Sequence, residues 1–447
     1  MLLHKKIRLS LQQSIALGFL LIILLGTVLL MLPLSNRSGE TLRFADALFT
    51  ATSATCVTGL VIFDTYTQFT QFGQLVILSL IQIGGLGFVS VSIFLLIIAG
   101  KRINIKERRL LMESISSLRI GGAVRLVKRV LFITIVCELL GAFLLSLRFI
   151  PQMGLTRGVY FGVFHAVSAF CNAGFDLMGF LKPYGSLTAF RGDITVNLVV
   201  ILLIISGGIG FIVWDDVINN GLRFRHYKLH TKIVLSVTLV LLLLSTALFY
   251  FLEKDHAFAE MPAGERILAA LFQAVTPRTA GFSTVSTASL SEVGIVSTML
   301  LMFIGASPGS TGGGVKTSTF LVILLSVISY VRNRNDLNIY GRRLEESLIR
   351  RAFSSITMYL MLVVSGVIFI LLSQNLPFEK VLFEAFSAIG TVGLSLGVTR
   401  DLNTYSRFVI ILLMFIGRIG SLSLAMALAE RKHQNVLRSI PEKISIG

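Results

Sequence analysis

The sequence predicts an all-α polytopic membrane protein built from four helix–pore loop–helix repeats. Composition, apolar span lengths and one internally repeated segment carry that prediction. Of 447 residues, 54% are apolar and 14% charged, against about 45–50% and about 25% in soluble domains. A chain with 33 Phe and so few charges is neither a set of water-soluble globules nor a disordered coil. Three cysteines give no disulfide framework and no zinc-ligand spacing.

A membrane span needs about 20 apolar residues. Eight stretches qualify: Gln13–Leu32, Gln74–Ala99, Val130–Leu147, Thr195–Ile218, Lys232–Leu252, Val293–Val331, Ala352–Ser373 and Ser406–Glu430. The sixth is overlong and interrupted. The first has a basic start, but it is too long for a secretory signal and no small-residue cleavage site follows at Pro33. It reads as a retained helix.

Alternating the eight stretches sorts the charge. One side holds 26 Lys and Arg against 9 acids, and the other 12 against 13. The net charge of +17 is therefore all on one side, which the positive-inside rule makes cytoplasmic, with both termini inside. The basic balance needs no nucleic acid to explain it. Short basic loops such as Lys101–Arg109 and Arg332–Arg351 suit anionic lipid or a soluble regulator.

Between successive spans lie FTATSATCVTGL (Phe49–Leu60), FHAVSAFCNAGF (Phe164–Phe175), LFQAVTPRTAGF (Leu271–Phe282) and FEAFSAIGTVGL (Phe383–Leu394). Each is a short helix-like stretch, a few small or polar residues, then a glycine before an apolar residue. The glycines, Gly59, Gly174, Gly281 and Gly393, are 115, 107 and 112 residues apart. Four units therefore cover the chain, divided at 1–105, 106–222, 223–335 and 336–447, with the interrupted helix in the third and the tail in the fourth.

The short stretches cannot cross a bilayer, so they dip in and return. Non-helical backbone at membrane depth must be buried in protein or line water. Four such loops point to a central pore with pseudo-fourfold symmetry. Glycine accepts a positive φ there, carbonyls turned inward replace a cation's hydration shell, and the carboxyl ends of four short helices add partial negative charge. Helix packing by glycine explains one such site more readily than four matched ones.

In the sixth span, GASPGSTGGGVK (Gly305–Lys316) holds five glycines and a proline, and a helix does not continue through it. The break falls near mid-membrane, below the four glycines. Gly309, Gly312, Gly313, Gly314 and Lys316 make a flexible cationic obstruction; the competing reading is a plain kink. Gly309–Thr317 misses a nucleotide phosphate loop by one residue, Val315, and follows a membrane helix where that motif requires a strand. Arg418, deep in the last span, needs polar partners, and the broken loop supplies them.

Other positions are less specific. QIGGLGF (Gln82–Phe88) and SGGIGF (Ser206–Phe211) read as helix-packing glycines, with a hinge as the alternative. Glu138 is a buried acid with no basic neighbour, for a hydrogen-bonded or protonated structural role. Asp64, Asp176 and Asp401 follow their loops, either drawing cations to the outer mouth or simply solvated. Cys56 and Cys171 sit in two loops as small residues. His165, in a short helix, is a packing or hydrogen-bonding residue. No metal-protease motif, carboxylate pair or nucleophile set appears, so the chain does not read as an enzyme.

The loops ending TCVTGL, FCNAGF, PRTAGF and GTVGL, with SPGSTGGGVKTST, resemble the Trk, Ktr and plant HKT potassium transporter superfamily over nearly the full length. Within it the likeness is greatest to the membrane subunits of bacterial Ktr systems. The resemblance implies a potassium-channel-like pore folded from one chain in the bacterial cell membrane. It places K⁺ at Gly59, Gly174, Gly281 and Gly393, with Val57, Thr58, Asn172, Ala173, Thr279, Ala280, Thr391 and Val392 completing the filter. Where sodium-carrying HKT relatives have a serine in the first loop, this chain has Gly59, which favours potassium.

The broken loop resembles these transporters' intramembrane gate, with Arg418 pinning it. The resemblance also implies a homodimer and a cytosolic ring of nucleotide-binding subunits of the KtrA type. ATP and ADP would bind that ring and not this chain, and Na⁺ would serve as an activator. Three alternatives stay open: a less selective Na⁺/K⁺ channel, a symporter of the same superfamily, and a membrane sensor or enzyme. Four units of one orientation favour a pore over an alternating-access carrier with inverted halves.

Overall fold

The computed structural model describes residues 10–98, 109–110, 122–221, 223–334 and 336–428. Most of the basic loop Lys101–Arg109, the ends of the second and eighth expected spans, and the basic tail lie outside the described residues.

The named secondary structure of the described residues is helical except for one two-stranded antiparallel hairpin, Asn338–Ile339 with Arg342–Arg343. One element order recurs. A long outer helix comes first, as α1 (Leu11–Met31), α6 (Ala123–Met153), α10 (Leu229–Leu252) and α14 (Glu346–Ser373). A short helix follows: α2 (Phe44–Thr55), α7 (Leu155–Phe170), α11 (Ala263–Val275) and α15 (Phe378–Gly390). An inner helix in two pieces closes each unit: α4 (Gln71–Leu86) with α5 (Phe88–Ile98), α8 (Ile194–Gly208) with α9 (Phe211–Asn220), α12 (Glu292–Phe303) with α13 (Thr317–Val331), and α16 (Thr404–Ile419) with α17 (Ser421–Leu428). One further turn of helix, α3 (Thr65–Gln68), precedes α4.

Length sorts these roles. The four outer helices are long and apolar enough to cross a membrane. Each keeps an apolar face outward: Leu25, Leu139, Leu243 and Phe369 are 62, 64, 63 and 63% exposed, as helices solvated by lipid require. The short helices have 12, 16, 13 and 13 residues, below the bilayer thickness at 1.5 Å per residue, and turn back inside the protein. Phenylalanines fill the space around them, with Phe49, Phe164, Phe272 and Phe383 fully buried.

Every inner helix starts on a side-chain cap. Thr70, Asp193, Ser291 and Asn403 accept from the backbone N–H groups of Gly73, Val196, Gly294 and Ser406 at 3.3, 3.1, 3.0 and 2.8 Å. Each satisfies a donor that the first helical turn leaves free.

The inner helices depart from expectation. Only the sixth span was expected to break, yet all four do. The α4–α5 and α8–α9 pairs bend by 95°, and α16–α17 parts at Gly420. The cause is a left-handed glycine at each break: Gly87, Gly210 and Gly420 have φ of +78°, +96° and +94°, which no helix continues through. QIGGLGF and SGGIGF are thus hinges as well as packing sites. Gly84 and Gly207 press against the carbonyls of Thr55 and Phe170, at the ends of α2 and α7.

One ion pair joins the ends of the chain. Arg407 of α16 donates to Asp46 of α2, and Arg43 Nε donates to the same carboxylate at 2.9 Å. The Asp46 and Arg407 side chains are 2% and 12% exposed. Breaking a buried pair from one side costs about 3–5 kcal/mol, because the remaining charge stays uncompensated. Asp46→Ala should therefore lower the midpoint of thermal unfolding in detergent by several degrees, and the double change Asp46→Ala/Arg407→Leu should recover part of the loss. Equal midpoints for wild type and Asp46→Ala would show the pair to be dispensable.

Candidate functional site

The four segments with the matched glycines meet in one place. After each short helix the backbone turns left-handed twice, two residues apart. Val57 and Gly59 have φ of +51° and +89°, and Asn172 and Gly174 have +56° and +69°. Thr279 and Gly281 have +76° and +77°, and Thr391 and Gly393 have +51° and +91°. Three of the four non-glycine members are β-branched, for which this region is strained. Strain of this kind persists only where the surroundings enforce it.

The glycines leave no room for a side chain. A Cβ on Gly59 would lie 2.6 Å from the Ala173 carbonyl oxygen and 3.1 Å from Gly174 Cα. One on Gly174 would lie 2.9 Å from the Ala280 oxygen and 3.1 Å from Gly281 Cα. At Gly281 it would strike the Val392 oxygen, and at Gly393 the Thr58 oxygen, 2.9 Å from Gly59 Cα. Each loop thus touches the next and the fourth touches the first, so the four close a ring. The carbonyls of Thr58, Ala173, Ala280 and Val392 stand at its seams.

Hydroxyls on the short helices hold the ring from behind. Ser53 and Ser387 accept from the N–H groups of Gly59 and Gly393, both at 3.1 Å. Ser168 and Thr276 donate to the carbonyls of Phe175 and Phe282 at 2.7 and 2.5 Å. The sequence reading missed these four residues. Their signal was a hydroxyl six positions before each glycine, five in the third loop. It also passed over Arg278, buried beside Gly281, whose guanidinium donates to Thr238 Oγ1 at 3.3 Å.

On one side the ring opens to a cavity of about 370 Å³ that reaches all four glycines. Asp64 and Asp176 line it together with Lys182 and Arg400, whereas Asp401 does not. Asp64 is buried and accepts from the N–H groups of Thr67 and Tyr184 at 2.9 and 3.0 Å. Asp176 accepts from Met178 N–H at 2.8 Å.

On the other side the glycine-rich segment between α12 and α13 fills the space. It is a folded loop, not a kink. Its N–H groups at Ser307 and Thr311 donate to the carbonyls of Gly208 and Gly207 at 3.0 and 3.2 Å. Thr311 Oγ1 donates to the Phe170 carbonyl at 3.2 Å, and Gly313 N–H to Thr391 Oγ1 at 3.0 Å. Gly309 accepts from Phe211 N–H at 2.8 Å, across the α8–α9 hinge. Gly312 packs on the Thr279 hydroxyl, so the loop lies directly against the strained residues of the ring.

Two cations are held on this loop. Lys316 Nζ donates to the carbonyls of Gly312 and Gly313 at 2.8 and 3.2 Å. Arg418 donates through Nη1 to the Thr311 carbonyl, and through Nη2 to Gly84 and Gly85, the latter at 3.1 Å. Arg418 thus bridges the loop and α4, and the link to α4 does not follow from sequence. Among the described residues neither cation meets a carboxylate. Both face a second cavity of about 130 Å³, beneath the loop and beside Gly87 and Phe211.

The remaining candidates stand off the seams of the ring. Glu138 accepts from Gln82 Nε2 at 3.2 Å, and Gln82 Oε1 accepts from Cys171 Sγ at 3.5 Å. Cys56 and Cys171 are buried free thiols. His165 has hydrogen bonds on both ring nitrogens.

Residues 12–438 match the TrkH family of cation transport proteins. The chain is 44% identical over 434 residues to Ktr system potassium uptake protein B of Bacillus subtilis, covering 97% of this chain and 96% of that one. It is 40% identical over 426 residues to potassium/sodium uptake protein NtpJ of Enterococcus hirae, covering 94% and 93%. Its fold matches the crystal structure of the potassium transporter TrkH from Vibrio parahaemolyticus with a TM-score of 0.73 at 19% identity, over 95% of this chain and 86% of that chain. These relatives are transporters and not enzymes, and this multi-pass membrane protein belongs to the TrkH family of cation transport proteins.

Proposed function

We propose that the chain carries potassium ions into the cell, with the ring of four glycines as the selectivity filter and the glycine-rich loop as the gate. The observation that carries this reading is the closed ring, in which four backbones meet where no side chain fits and one carbonyl stands at each seam. Carbonyl number and field strength select among monovalent cations. The doubled left-handed turn is short, which supports one dominant ion site near Gly59, Gly174, Gly281 and Gly393. The Bacillus relative is likewise named for potassium uptake.

The loop with Lys316 and Arg418 lies against the ring's inner side, where fixed positive charge opposes a cation. Opening must move the loop or withdraw those charges. A cytosolic nucleotide-binding ring of the KtrA type, responding to ATP and ADP, is the proposed drive, acting on a homodimer in the bacterial cell membrane with both termini cytoplasmic. Sodium enters the reading as an activator. The Enterococcus relative, named for both potassium and sodium, favours a second reading in which both ions pass.

Rubidium and sodium uptake into liposomes carrying the purified chain, under an imposed potential, separates these readings. Wild type should prefer rubidium. Gly281→Ser forces a Cβ against the Val392 carbonyl and should lower the rubidium-to-sodium ratio about tenfold, equivalent to about 1.4 kcal/mol. Equal uptake of the two ions by wild type would support the second reading, and an unchanged ratio in folded Gly281→Ser would remove the ring from selection.

Arg418→Gln removes a charged group that binds three carbonyls, and charge-assisted hydrogen bonds contribute about 1.5–3 kcal/mol each. Basal rubidium uptake without any partner should rise about tenfold, with the ion preference retained. Unchanged basal uptake in a folded Arg418→Gln protein would argue against its role in closure.

A further inference from the structure

Two buried side chains behind the ring have no place in that account. Glu384 on α15 and His165 on α7 each lie nine residues before their loop's glycine, and are 0% and 1% exposed. A buried acid is retained only where hydrogen bonds compensate its desolvation. The Glu384 carboxyl accepts from Ser395 Oγ at 2.8 Å and from Thr399 Oγ1. Ser395 Oγ in turn accepts from Gly397 N–H at 2.9 Å. Ser395, Gly397 and Thr399 all line the outer cavity. One side chain thus fixes the backbone that follows Gly393.

His165 does the same in the second loop. Its Nδ1 lies 2.7 Å from the Phe161 carbonyl, and Nε2 accepts from Leu177 N–H at 3.3 Å. Together these fit the neutral ring with its proton on Nδ1. The ring also packs against Phe282, one residue past Gly281. The corresponding position in the first loop is Thr50, whose hydroxyl turns back to Asp46 O at 3.1 Å; in the third it is Phe272. The second and fourth loops are not neighbours in the ring, so the two tethered loops face each other across it.

We propose that Glu384 and His165 are positioning residues for ion selection: by tethering the segments after Gly393 and Gly174 they fix the spacing of opposite walls of the filter. The inference rests on the filter reading above. Carbonyl field strength depends on how far the walls yield around an ion, so slackening two opposed loops admits the smaller, more strongly hydrated sodium.

Rubidium and sodium uptake by the full-length chain in liposomes tests it, scored on variants whose detergent unfolding midpoint matches wild type within a few degrees. Ser395→Ala/Thr399→Val, which leaves Glu384 in place, and His165→Phe should each lower the rubidium-to-sodium ratio about tenfold. Glu384→Gln, whose amide oxygen still accepts from Ser395 Oγ while its amide nitrogen donates to Thr399 Oγ1, should stay within about twofold of wild type; a purely structural role predicts no such rescue. If Glu384→Gln does not fold, the hydroxyl pair and His165→Phe decide alone. Unchanged ratios in these variants, beside a lowered ratio in Gly281→Ser, would overturn the positioning role and leave the filter standing. An unchanged ratio in Gly281→Ser as well would remove the filter reading, and this inference with it.

Discussion

Backbone that leaves a helix inside a membrane must find hydrogen-bond partners within the protein, because lipid offers none. Five segments of this chain do so: the four loops after the short helices and the glycine-rich stretch between α12 and α13. Much of the architecture follows from partnering them. Ser53, Ser168, Thr276 and Ser387 face their loops because those loops have groups to satisfy. Gly207 and Gly208 offer carbonyls to the fifth segment, and Thr391 offers a hydroxyl. Lys316 and Arg418 use loop carbonyls that have no helical partner. The polar core is therefore a set of mutually satisfied irregular segments, and the outer helices serve as its boundary with lipid.

Electrostatics gives that core a direction. The short helices end at the ring, so their carbonyl ends place partial negative charge there, and the seam carbonyls add to it. Immediately beyond, Lys316 and Arg418 place two basic side chains against the loop. Under the proposed reading, a cation arriving through the larger cavity would meet a favourable field followed by an unfavourable one within a few residues. Charge this deep persists where it is bound by carbonyls and serves a function. Arg418 also reaches Gly84 and Gly85, so its side chain ties the loop to α4.

The sequence was most legible where several residues had to agree. Four glycines at matched spacing identified the loops, and the structure joins them at Gly59, Gly174, Gly281 and Gly393. Arg418 was legible because an arginine deep in a span demands partners, although two of the three carbonyls it found lie on α4. The bends at Gly87 and Gly210 were legible only as an alternative to packing, and the break at Gly420 was not legible. A glycine within an apolar stretch packs helices as readily as it ends one, and only a positive φ separates the cases. The hydroxyls behind the ring escaped notice because serine and threonine in a short helix look ordinary until a loop folds over them. His165 read as a hydrogen-bonding residue, which it is, but its partner Leu177 lies across a turn that periodicity does not reveal.

The hinges and the long break answer to one steric problem. The glycine-rich loop takes the space under the ring that straight inner helices would crowd. Gly210 sits where a Cβ would lie 2.7 Å from the Pro308 carbonyl oxygen, and Phe211 N–H donates to Gly309 only because α9 turns away there. Gly84 and Gly85 yield their carbonyls to Arg418 just before α4 ends and Gly87 redirects the chain. Gly417 packs on the Ile389 carbonyl, three residues before the break at Gly420. The α4–α5 and α8–α9 pairs thus touch the end of a short helix and bend beside the loop, and α16 touches the end of α15 before it parts at Gly420. Four identical chains could not place a single such loop on a shared axis without repeating it four times. Four unequal repeats in one chain place it once, in the third, and give the others hinges that accommodate it.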